Sequence, residues 1–406
     1  MRSRSPLLRA LTPQLPEMLS TLCRYVEHES PSASPDAIAA LVSIIAADFA
    51  ALSPRIRLHK FPSYGPALQI DFPPAPAAGA ASVAAYPAAK HAPAAYPAAA
   101  RPRLLLLGHT DTVYPLGTLA TMPCRQRAGR LSGPGAFDMK AGIVQALFAI
   151  RALLARGPLP CPVTLLLVPD EEIGSPASRP LTERLAIRSS AVLVLEPAAG
   201  AAGACKTSRK GVARYTLRIH GRAAHAGLDF ERGASAIVEA AHQVIAISRL
   251  SRPAKGLTLN PGLISGGVRP NVVADLAEIV VDVRFLTASQ AARADAGIHR
   301  LRPHDPRCSL EILGGVERAP FERSPATVGL YGMAAQAATQ LGFPLAEAAV
   351  GGGSDGNLTA ALGIPTLDGL GAVGDGAHAP HEFVLIRELP RRSALLAELI
   401  TMLAAG

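Results

Sequence analysis

LLLLGHTDT, from Leu104 to Thr112, is the stretch of this 406-residue chain whose reading decides its fold. Four consecutive leucines are too few for a helix and too apolar for a half-exposed strand. They read as a strand covered on both faces, as parallel strands in α/β layers are. The run then breaks into His109, Thr110 and Asp111. Two further aliphatic runs, Val163 to Val168 and Val192 to Leu195, break in the same manner, into Asp170, Glu171 and Glu172 and into Glu196. Between the first two runs, Ile143, Leu147, Ile150 and Leu154 recur at helical spacing, and Gly157 with Pro158 supplies a stop. Strand, long loop, helix, strand predicts an α/β domain with a mainly parallel sheet and functional residues at the carboxyl ends of its strands.

Upstream, from Phe72 to Arg103, the sequence is almost all Ala and Pro, with AAYPAA at Ala84 to Ala89 and again at Ala94 to Ala99. Such composition predicts a solvent-exposed insertion between two strands. Downstream, from about Lys206, the texture changes. Val212 to His220 and Ala277 to Phe285 alternate like half-exposed antiparallel strands, helices are expected near Ala234 to Arg249 and Ala288 to Arg300, and Ser309 to Leu313 can close a small sheet. After Pro320 the glycine-punctuated α/β style returns, with helices expected at Thr327 to Gly342 and Pro390 to Ala405. The expected division is therefore 1-205 and 321-406 for one domain and 206-320 for a second, inserted one.

Composition bounds the function. The chain is 49% hydrophobic and 17% charged, which suits a folded protein of two domains. Its longest uncharged helix-compatible run, Ala37 to Ala47, stops at Asp48, short of the roughly 20 residues a bilayer span needs, so no membrane segment is expected. A net charge of +9 favours anionic ligands, but the basic residues are scattered, and nucleic-acid binding is not indicated. Five cysteines, far apart and without a CxxC pair, suggest neither a disulfide framework nor a thiolate zinc site, and a cytoplasmic location is expected. The basic N-terminus is broken by Pro6, Pro13 and Pro16 and reads as the lead-in to a first helix.

The strand-end clusters carry the chemistry. In an extended segment His109 and Asp111 project to the same side, so one can bind a metal while the other orients it, although a lone HxD is also an ordinary polar turn. Asp138, in GPGAFDMKAG, sits before a helix, where an N-terminal cap is the plain alternative. The run Asp170, Glu171, Glu172 is costly by mutual repulsion unless cations, protons or solvent relieve it. With Glu196 and His378, in GAHAPHEFV, two histidines and three or four carboxylates form a donor set sufficient for two zinc ions sharing a bridging carboxylate. Such a pair, about 3.5–4 Å apart, is a hydrolytic device, and one carboxylate must stay free of metal to move the proton of water.

In order, GHTDTVYP, GPGAFDMKAG, DEEIGS, LEPA, RAAHAG, GGGSDG and GAH resemble the co-catalytic zinc metallopeptidase family that contains glutamate carboxypeptidase, acetylornithine deacetylase and succinyl-diaminopimelate desuccinylase. The likeness is strongest to the glutamate carboxypeptidase branch. It implies a three-layer α/β catalytic domain with an inserted α+β, ferredoxin-like lid or dimerisation domain. It implies two zinc ions, with cobalt or manganese as possible substitutes. His109 and Glu196 would hold one, Glu172 and His378 the other, and Asp138 would bridge. Asp111 would orient His109, and Glu171 would be the general acid/base. His381 is a second candidate beside His378. His225, in RAAHAG, would stabilise the oxyanion from the partner subunit of a homodimer, though an exposed loop histidine is its plain alternative. Asn271, Arg284 and Arg318 would face the substrate carboxylate, with a structural salt bridge the alternative for Arg284, and Gly352 and Gly353 would let backbone approach the substrate. ERAPF, at Arg318, departs from the family's usual RPPF.

The resemblance thus implies hydrolysis of an amide bond in a small anionic N-acyl amino acid or peptide, with release of an amino acid such as glutamate. An acetylornithine deacetylase-type deacylase is the close alternative, and a non-catalytic metal-binding homologue the distant one.

Overall fold

The computed structural model describes residues 5–74 and 102–405. Most of the expected Ala/Pro-rich insertion, 75–101, lies outside the described residues. Two compact units are present, Met1–Thr207 with Arg323–Val350 and Ser354–Gly406, and Ser208–Glu322 with Gly351–Gly353.

In the first unit the three aliphatic runs become the strands Leu104–His109, Val163–Val168 and Ala191–Val194, every position of which is buried. They belong to a six-stranded sheet ordered Arg55–Phe61, Gly65–Phe72, Val163–Val168, Leu104–His109, Ala191–Val194, Thr366–Leu367. Gly65–Phe72 pairs antiparallel with both Arg55–Phe61 and Val163–Val168, and the remaining pairings are parallel. Register sets His109 beside Val168 and Leu107 beside Val194, so the polar residues that follow emerge together at one edge.

Helices cover the sheet. Pro35–Ala50 buries Ile38, Leu41, Val42, Ile45 and Phe49 at helical spacing. Ala141–Leu154 is apolar nearly all round and accordingly buried, and it packs against Leu389–Ala405. Gly142 is required by that packing, because a Cβ there would run into the carbonyl oxygen of Leu195. The N-terminal lead-in is itself helical over Pro6–Leu11, with proline in the first turn, where no N–H is needed.

One element has no counterpart in the sequence reading. Gly374–Asp375, Phe383–Leu385, Arg130–Ser132 and Arg125–Arg127 form a small antiparallel sheet. Strands of two or three residues show no periodicity, yet the pairing of Phe383 with Ser132 and Val384 with Leu131 ties the His378 segment to the loop carrying Asp138.

The second unit runs strand Gly211–His220, helix Ala236–Ser248, strands Thr258–Gly266 and Leu276–Phe285, helix Ala288–His299 and strand Ser309–Arg318. The sheet order, Thr258–Gly266, Leu276–Phe285, Gly211–His220, Ser309–Arg318, is that of a split β-α-β. Its core joins Tyr215, Leu217, Ile219, Ile279, Val281, Val283 and Phe285 to Ala240, Ile247, Ala294 and Ile298 of the helices. Thr258–Gly266 escapes sequence reading because Asn260, Pro261 and Gly262 look like a turn. It is an edge strand with a register shift between Pro261 and Leu263, where proline is tolerated.

Candidate active site

His109 closes its strand with a side chain only 1% exposed. Its Nδ1 lies 2.9 Å from the backbone oxygen of Asp111, with the Asp111 carboxylate at 3.4 Å. A carbonyl only accepts, so Nδ1 carries the proton, and the neutral ring presents the Nε2 lone pair. That atom faces Asp138 Oδ1 at 3.1 Å and Glu196 Oε1 at 3.4 Å. The other Asp138 oxygen lies 3.4 Å from His378 Nε2, which is 3.0 Å from Glu172 Oε2. One carboxylate thus stands between two imidazoles, each of which has a second carboxylate of its own.

Lone pairs aimed at carboxylates are repulsive unless positive charge lies between them. The imidazoles show this. Burial pushes His109 down, but hydrogen bonding to Asp111, Asp138 and Glu196 carries it well above the ordinary value. His378 is pushed up to about 10 by Asp138 and Glu172. Burial raises Asp138, but the two imidazoles more than offset it and hold its carboxyl low. Glu172 is raised by burial, and its Oε1 is a buried acceptor without a hydrogen-bond partner. Two imidazole nitrogens and three carboxylates, one of them with an orphaned buried oxygen, form a donor set that fits divalent metal ions. Glu171 also offers a carboxylate oxygen within 4.8 Å of His109 and Glu196.

The backbone around these groups is held by further acids. Asp138 caps no helix, since Ala141–Leu154 begins after Lys140 without a side-chain cap. Instead the Asp138 loop is held from outside by Glu382, which is fully buried and accepts the N–H groups of Gly135 at 3.0 Å, Phe137 at 2.7 Å and Asp138 at 2.9 Å. Asp111 accepts the N–H of Glu171 at 3.2 Å and of Glu172 at 3.1 Å, together with the Ser32 hydroxyl at 2.7 Å. Asp170 is turned inward and accepts the N–H groups of Ala177 and Ser178. DEE is therefore no solvated run, and its first acid shapes the turn that carries the other two.

In the second unit His225 is exposed, and its Nδ1 accepts the N–H groups of Gly227 at 3.1 Å and Leu228 at 3.2 Å. Accepting there leaves the proton on Nε2, which is then a donor. Asn271 lies on the adjoining segment, with its carbonyl accepting from Ala226 N. Arg284 gives its guanidinium fork to Asp282, at 2.9 and 3.0 Å, the salt bridge the sequence left open. Arg318 is buried at the end of its strand. Gly352 and Gly353 both accept from Nη1 of buried Arg209, at 3.0 Å each. Sequence reasoning missed Arg209, Glu382 and Ser32. For Glu382 a signal existed: a lone acid four residues past His378, immediately before the apolar FVL.

Residues 105–402 match the family described as Peptidase family M20/M25/M40. Carboxypeptidase G2 of Pseudomonas sp. strain RS-16 is 31% identical over 311 residues, 75% of this chain and 74% of that protein. A putative succinyl-diaminopimelate desuccinylase, DapE, of Mycobacterium tuberculosis is 32% identical over 287 residues, 66% of this chain and 73% of that protein. The crystal structure of Bacillus subtilis YXEP, described as a dinuclear metal binding peptidase, superposes with a TM-score of 0.66 at 15% identity, covering 98% of this chain and 99% of that one. No helix among the described residues is long and apolar enough to cross a membrane. The chain belongs to Peptidase family M20/M25/M40, a family of metal-dependent hydrolases, and is itself a hydrolase.

Proposed function

We propose that this protein hydrolyses the amide bond of an N-acyl amino acid or small peptide at a site for two zinc ions, releasing an amino acid with a free carboxylate, such as glutamate. The observation that carries the reading is the Asp138 carboxylate, with one oxygen toward each of two imidazoles. His109 and Glu196 would hold one ion, Glu172 and His378 the other, and Asp138 both. Bound there, the ions would supply Lewis-acid polarisation of the scissile carbonyl and acidify water for attack. Asp111 holds His109 in the tautomer that offers Nε2 and fixes the turn bearing Glu171 and Glu172. Glu171, kept free of metal, takes the proton of the attacking water and returns it to the leaving amine.

In the second unit, acting as lid or dimerisation domain over 206-320, His225 would donate Nε2–H to the developing oxyanion across a homodimer. Asn271 and Arg318 would bind the substrate carboxylate, and Gly352 and Gly353 would admit it closely. Arg284, already paired, serves better as a brace than as a contact. A carboxypeptidase among the relatives supports the carboxypeptidase reading. The desuccinylase relative supports a second one, removal of an acyl group from an amino acid by the same chemistry.

A substrate panel of N-acyl amino acids, dipeptides and folate-like glutamates, read by mass spectrometry with and without chelator, tests the proposal. Chelator-sensitive release of a C-terminal amino acid is the expected result. No turnover of any member by zinc-loaded protein would contradict it.

A further inference from the structure

We propose that Glu382 is a positioning residue that fixes the Asp138 loop and the His378 segment relative to one another, and so sets the affinity of the site for its metal ions. The inference rests on the metal-site reading above and deepens it.

The segment carrying Asp138, Ala136–Lys140, is a single wide turn interrupted by non-helical backbone. Gly135 is left-handed, and Asp138 and Met139 have non-helical backbone angles, φ −113°, ψ 93° and φ −134°, ψ 36°. Three N–H groups of this loop are paired by no helix or strand ladder, and all three converge on one side chain. Glu382 Oε1 accepts from Phe137 and Asp138, and Oε2 from Gly135. Because a carboxylate can only accept, this fork matches three donors at once.

Glu382 also belongs to the segment that presents His378. Between them lies a tight turn in which Ala379 N donates to Gly376 O at 2.9 Å and Glu382 N to Ala379 O at 3.1 Å. His378 itself holds a left-handed φ of 61°. The Tyr114 hydroxyl donates to Ala379 O at 3.0 Å, tying the same turn to the chain three residues beyond Asp111. Two candidate ligands separated by 240 positions are thereby set in register by one buried side chain.

Glutamine in place of Glu382 is nearly isosteric but electronically wrong. If its oxygen keeps Phe137 and Asp138, its NH2 meets the Gly135 N–H donor to donor. The loss of an outer partner of this kind weakens metal binding by about 10- to 100-fold.

The test uses chelator-stripped full-length protein titrated with Zn2+ in calorimetry and with Co2+ by visible absorption, circular dichroism reporting the fold. Wild type should take up two ions, and Glu382→Gln should retain its fold but bind about 10- to 100-fold more weakly, with an altered cobalt spectrum. A folded Glu382→Gln with wild-type affinity and spectrum overturns the proposal. If that variant does not fold, Tyr114→Phe decides. Loss of its bond to Ala379 should weaken binding by about two- to tenfold, and unchanged affinity overturns the proposal. A wild type that takes up neither ion overturns the metal-site reading and this inference with it, whereas two ions in wild type with no effect in the variants overturns this inference alone.

Discussion

The two imidazoles of the candidate site are built in opposite ways. His109 ends a central strand, is sealed from solvent and has its tautomer set by the backbone of its own segment. His378 sits in a loop at positive φ, with its side chain 52% exposed, held by a turn and by strands of two or three residues. One half of the site is therefore part of the core, whereas the other is docked onto it. Removing a core ligand disturbs folding as well as binding. Removing a docked ligand should disturb binding alone.

The largest expected effect lies on the core side. Glu171→Ala should lower kcat by at least about 100-fold while metal content, measured by elemental analysis, stays at the wild-type level. Near-normal turnover would remove Glu171 from the proton-transfer role.

The comparison itself is tested next, in chelator-stripped protein by urea unfolding. His109→Ala takes the buried imidazole away from Asp111, Asp138 and Glu196 and should cost on the order of 3 kcal/mol. His378→Ala removes a half-exposed ion pair and should cost at most about 1 kcal/mol. Equal losses would erase the distinction.

Smaller changes sharpen it. Gly142→Ala should destabilise by about 1–3 kcal/mol through overpacking against Leu195, and metal titration should show weaker binding as Glu196 is displaced. Ser32→Ala removes one buried hydrogen bond to Asp111 and should cost about 1 kcal/mol in the same unfolding assay.

The same division explains what the sequence disclosed. Leu104–His109 and Val163–Val168 are legible because a buried parallel strand writes its environment into an unbroken aliphatic run, and the polar residue that ends the run marks the site. The helix Ala141–Leu154 is legible from its spacing. Nothing local announces that Phe383–Leu385 pairs with Arg130–Ser132, because so short a strand has no period. His378 was legible as a second histidine for the donor set, with its partners assigned only through the family's ordered motifs, and Glu382 left no more than the trace of a lone acid, since its role exists in three hydrogen bonds to residues about 245 positions away. Asp138 was legible as an acid before a helix but not as a group outside any cap, because its loop is shaped by that distant carboxylate. In the second unit, Pro261 concealed an edge strand for the same reason that it is tolerated there.

The central claim is that one carboxylate serves two metal ions. Its most direct test is the metal stoichiometry of purified protein, by elemental analysis after equilibration with zinc and removal of the unbound excess, for wild type and Asp138→Ala side by side. The account predicts two ions per chain in wild type and fewer than two in the variant. Two ions in both, or none in either, would contradict it.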